Sequence, residues 1–158
     1  MADFRDYGIL PEKGRQYEEV IYVMALIYNI INNEASNYLA RFDLTPAKFN
    51  ILMVIKYSGK NDGLTQVEIG KRLIVSAGNI TKILDRLSAQ GFITRAPSKT
   101  DRRANVIKIT KIGSDTVEEA WGGYDAILKK ASSFLTASEQ KNTAFVLKKW
   151  FNSLIKGA

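Results

Sequence analysis

The stretch "LTQVEIGKRLIVSAGNITKILDRLSAQGFITR", residues 64–95, decides the fold. Thr65 is followed three residues later by Glu68, a capping box whose two side chains satisfy free backbone donors in a first helical turn. The helix it opens is short and is expected to end near Leu73. Ser76 is placed to cap a second helix, with Ile80, Ile83, Leu84 and Leu87 at inward spacing and Gly91 as its C-terminal stop. Two short helices joined by a tight turn, the second polar at its start, describe a helix-turn-helix. After Gly91 the period changes. "FITRA" and "NVIKIT" are β-branched and roughly alternating, and the polar "PSKTDRR" between them predicts a hairpin.

Outward from this centre the spacing is helical on both sides. Ile21, Met24, Tyr28, Ile31, Ala35, Tyr38, Leu39 and Phe42 define one broad apolar face over 16–42. Thr45 and Pro46 then suit the N-cap and first turn of a helix running to about Tyr57. From Lys111 helical spacing returns as Val117, Trp121, Tyr124, Leu128 and Phe134. Thr136 with Glu139 supplies a second capping box before a last helix bearing Phe145, Trp150, Phe151 and Leu154. The expected fold is mainly α with a small β-hairpin, in a single module over 1–158.

Composition narrows the function. The 158 residues include no histidine and no cysteine, which removes the commonest general base, the commonest zinc ligands and any thiol switch. No glycine-rich phosphate loop or carboxylate cluster stands in for them, so the reading is not an enzyme, with no cofactor and no metal. The net charge of +7 is segregated: residues 64–112 carry ten Lys/Arg against three acids, and the remainder carries 13 of each. A surplus confined to the helix-turn-helix and hairpin points to a polyanion. The apolar run Val20–Ile31 is too short to span a bilayer and lacks signal-peptide flanks, so a cytoplasmic location without membrane contact is expected.

With "LTPAKFNIL", the 64–95 stretch and "DRRANVIKIT" in this order, the chain resembles the multiple-antibiotic-resistance regulator (MarR) family of transcription factors. The resemblance implies a homodimer in which helices over 16–42 and 113–156 interlock as dimerisation helices. A winged helix-turn-helix lobe over 44–112 would then engage double-stranded DNA. It also implies a repressor released by a small, often aromatic ligand held between lobe and dimer interface. Two symmetric lobes require a pseudo-palindromic operator with half-sites roughly 10 bp apart.

Ser76, Gly78, Asn79, Thr81 and Lys82 are the candidate DNA-facing residues of the second helix. Asn79 suits a bidentate pair with an adenine edge, and Lys82 suits a guanine or a phosphate. Gly78 costs about 1 kcal/mol of helix stability against alanine, which a close backbone approach to DNA would explain and a loose first turn would equally explain. Arg86 and Lys99 are assigned to phosphate contacts, as are Lys71, Arg72, Arg95 and Lys108 where they are not simply solvated. At the hairpin tip Arg102 and Arg103 suit a minor groove, and Asp101 would hold one of them in place. By the resemblance Arg103 enters the groove and Arg102 lies nearer the backbone. Asp85 is read as bracing the wing or the helix end. Tyr28, Tyr38, Phe49, Met53 and Trp121 are the candidate lining of a pocket for an unidentified aromatic or apolar effector. The competing reading is a winged-helix protein-interaction module that does not bind specific DNA.

Overall fold

The structure is a computed structural model that describes residues 4–9, 14–59, 62–73, 77–97 and 105–156, with no side chain described at 77 and 78. Helix α1 (Gln16–Leu39) gives way to a single 3-10 turn at Ala40–Phe42. Asp43 then enters the left-handed region (φ 54) and turns the chain into α2 (Pro46–Gly59). The expected single helix over 16–42 therefore tightens in its last turn, and α2 runs two residues beyond the expected Tyr57. Thr45 caps α2 by accepting from the Lys48 amide at 3.2 Å.

Strand β1 (Leu64–Thr65) leads directly into α3 (Gln66–Arg72), followed by α4 (Ala77–Ala89), β2 (Ile93–Pro97) and β3 (Asn105–Ile109). The sheet is three-stranded and antiparallel in the order β1-β3-β2, with Leu64 opposite Ile107 and Ile93 opposite Ile109. This enlarges the expected hairpin by one strand. Two residues are too few to show alternation, and Thr65, extended at φ −73 and ψ 158, serves as both strand residue and N-cap of α3. Gly63 is required just before it: at φ +79, an added Cβ would also sit 2.7 Å from the Ile107 carbonyl oxygen. Gly91 stops α4 at φ +72, as its position after the last inward leucine predicts.

Helix α5 (Lys111–Ser132) packs against both α1 and α2, and α6 (Ala137–Lys156) follows after a short turn. The core lies where α2, α3, α4, the sheet and α5 meet, with Phe49, Leu52, Ile69, Leu84, Leu87, Ile107 and Val117 all buried. Lys56 ties α2 to α5 across this core, donating to the Ser114 carbonyl (3.2 Å) and the Glu118 carboxylate (2.5 Å). By contrast α6 buries none of its residues, and Phe134, in the turn before it, is 91% exposed. Among the described residues no helix is long and apolar enough to cross a membrane.

Candidate nucleic-acid interface

The start of α3 carries the expected capping box. The Thr65 amide donates to Glu68 Oε2 at 2.8 Å, and the Glu68 amide donates to Thr65 Oγ1 at 3.2 Å. The hydrogen bonds from the Thr65 backbone and hydroxyl hold the Glu68 carboxyl below its usual pKa. At the other end of α3, the Arg72 side chain folds back along the helix, and its Nη1 donates to the Glu68 carbonyl at 2.7 Å. That arginine, read from the sequence as a phosphate or solvent contact, therefore has a partner inside the lobe.

Helix α4 sits on α3 closely enough that a Cβ at Gly70 would lie 3.0 Å from Ile80 Cδ1. Ile80, Leu84 and Leu87 are buried and Ile83 is partly so, as the spacing predicts. The opposite face is polar and open, with Asn79, Thr81, Lys82, Asp85 and Arg86 all exposed. Two side chains pin this helix to its neighbours. Gln66 Nε2, at the first position of α3, donates to Thr81 Oγ1 at 2.7 Å. Arg95 Nη2, on β2, donates to Asp85 Oδ1 at 2.7 Å. Asp85 thus meets the base of the wing, and its partner is an arginine that the sequence assigned to phosphate or solvent. Beyond the exposed face, Gln90 anchors the end of α4 by donating to the carbonyl (3.1 Å) and carboxylate of Asp43, at the α1–α2 corner.

Gly78 lies in the first turn of α4. Ser76, Lys99, Asp101, Arg102 and Arg103 lie outside the described residues. Gln66 was missed in the sequence because its partner is 15 residues away, on another helix, where no single-helix period can reveal it.

The five candidate effector residues fall in different environments. Phe49 is fully buried, its ring 4.8 Å from that of Tyr124, which in turn lies 6.1 Å from Trp121. Met53 packs against the core, and Tyr38 lies against Phe42 and fills the notch left by Gly123. Tyr28 is 65% exposed. Burial, and then the Coulombic effect of the nearby Tyr28, push the Tyr124 pKa above its ordinary value. A groove of about 780 Å3 lies elsewhere, between α1 (Met24, Ile27, Ile31) and the α5–α6 corner (Phe134, Leu135, Leu147), and none of the five lines it.

The MarR family profile matches residues 42–104, the span from the α1–α2 corner through β2 to the residue before β3. The multiple antibiotic resistance protein MarR of Salmonella typhimurium is 33% identical over 138 residues, covering 84% of this chain and 93% of that protein. Among solved structures, a cysteine-to-serine mutant of E. coli MarR complexed with operator DNA superposes with a TM-score of 0.77. It is 27% identical, over 87% of this chain and 97% of that one. The S. aureus MepR–DNA complex gives a TM-score of 0.77 at 26% identity, over 84% and 96%. With the lobe, the flanking helices and the near full-length match in agreement, the chain belongs to the MarR family of transcriptional regulators.

Proposed function

We propose that the protein is a homodimeric, sequence-specific regulator that binds double-stranded operator DNA, with α4 in the major groove and the wing on the adjacent minor groove. The observation that carries this reading is the open polar face of α4, backed by buried leucines and tied to the wing by Asp85 and Arg95. It lies inside the segment that holds the whole +7 surplus. Lobe residues 44–112 do the binding in this reading, and 16–42 with 113–156 join the two copies. The exposed apolar side chains of α1 (Val20, Ile27) and α6 (Phe145, Leu154) supply that junction. Repression relieved by a small aromatic or apolar effector remains part of the proposal, with Tyr28, Tyr38, Met53 and Trp121 near Tyr124 as its lining. A cytoplasmic location is part of the same proposal.

The test is the salt dependence of binding to duplex DNA, alongside the mass in solution. A dimer whose log affinity falls steeply with log salt is expected. Arg102→Ala/Arg103→Ala should weaken binding to a selected duplex roughly 30-fold at moderate salt, and removing two phosphate-neutralising charges should flatten the slope by about 2. Indifference to any duplex, with tight capture of a protein partner, would instead favour the interaction-module reading.

Asp85 gives a second, signed prediction. Removing an acid from a DNA-facing helix should strengthen binding if charge alone matters. The carboxylate holds Arg95 on the wing strand, so Asp85→Ala is expected to weaken binding about fivefold, while the exposed pair contributes at most about 1 kcal/mol to stability. Titration of the variant against the same duplex, with a thermal melt, checks both halves.

A further inference from the structure

Threonine carries a hydroxyl and a methyl on one carbon, and the two report on different features of a base pair. The Thr81 side chain is exposed in the second turn of α4, between Asn79 and Lys82. Its hydroxyl oxygen already accepts the Gln66 amide at 2.7 Å. Turning χ1 to carry that hydroxyl toward a base means giving up a bond made inside the lobe. Presenting the methyl disturbs nothing. Because both groups turn on the same χ1, fixing the hydroxyl fixes the methyl as well, and β-branched side chains have few χ1 wells to choose from. In the major groove the apolar feature of a base-pair edge is the thymine C5-methyl.

We propose that Thr81 recognises a thymine methyl through its own methyl, and that Gln66 is the positioning residue that enforces this by holding the hydroxyl against α3. The inference rests on α4 being the DNA-facing helix, and it goes further by assigning one base in each half-site. Gln66 and Thr81 then act as a unit, with α3 setting what α4 reads.

The test begins with a duplex selected from a random pool by the wild-type protein. Each thymine is replaced singly by uracil, which removes only the methyl group, and binding is followed by fluorescence anisotropy. One position per half-site is expected at which the replacement weakens wild-type binding about fourfold, the partition of one buried methyl group. Thr81→Val, which keeps the methyl and discards the hydroxyl, should retain that preference. Thr81→Ser, which does the reverse, should bind thymine and uracil duplexes alike. Gln66→Ala should reduce the preference in the wild-type background and leave it unchanged in the Thr81→Val background, where there is no hydroxyl to hold. A merely structural role for Gln66 would not show this pattern. The proposal is overturned if Thr81→Ser keeps the preference, if Thr81→Val loses it, or if no thymine is sensitive in a Thr81-dependent way. If the wild type selects no duplex at all, the DNA-binding reading fails first and takes this one with it.

Discussion

Phe49→Ala is expected to destabilise the folded chain by about 3–5 kcal/mol, a large fraction of the roughly 5–15 kcal/mol that holds a typical domain together. The side chain is fully buried in the cluster formed by α2, the sheet and α5, and its ring stacks at a tilt on Tyr124. Truncation removes most of a phenyl ring's worth of transfer free energy. It also leaves a cavity between helices already tied together by Lys56 and Glu118, which limits how far the site can collapse. Equilibrium urea unfolding would show the loss as a lower midpoint at unchanged slope. Phe49 was also a candidate effector contact, and the two roles separate cleanly. A core residue lowers stability whether or not any small aromatic compound is present. A variant with near wild-type stability would mean that the ring sits in an open pocket.

What the sequence revealed and what it hid divides by range. Both capping boxes are legible because Thr65 with Glu68 and Thr136 with Glu139 are three residues apart, and the geometry follows from local backbone alone. The inward face of α4 is legible because Ile80, Leu84 and Leu87 repeat with the helical period. The contacts that aim the site are not. Gln66 with Thr81, Arg95 with Asp85 and Gln90 with Asp43 each join different elements, so no period or spacing could pair them. The aromatics fail for a related reason. Spacing puts Tyr28, Tyr38 and Trp121 on helix faces but does not say which face meets protein, so Phe49 in the core and Tyr28 in solvent look alike in the sequence. Strand β1 was hidden because its pairing depends on β3, more than forty residues downstream.

Gly113→Ala is expected to lower stability by about 3 kcal/mol, although helix propensity alone predicts a gain of about 1 kcal/mol. Gly113 is the third residue of α5, and its amide donates to Thr110 Oγ1 at 3.0 Å, the N-cap bond of that helix. An added Cβ would lie 2.3 Å from the Phe92 carbonyl oxygen and 3.1 Å from Ile109 Cγ1. The first of these is backbone and cannot swing aside as a side chain would. That same carbonyl accepts from the Thr110 amide at 3.0 Å, so moving it breaks the link that closes the base of the β2–β3 ribbon. Stability and the set of the wing are therefore expected to fail together, with the melting temperature falling by roughly 6–12 °C for a chain of this size. The matched control is Gly122→Ala in the same helix. There nothing lies within 4 Å of the added Cβ, so propensity acts unopposed and the melt should move up by a few degrees, on the order of 1 kcal/mol. Opposite signs for two alanines nine residues apart on one helix would identify the Phe92 carbonyl as the deciding contact. Equal signs would refute the steric account, because propensity treats the two sites alike.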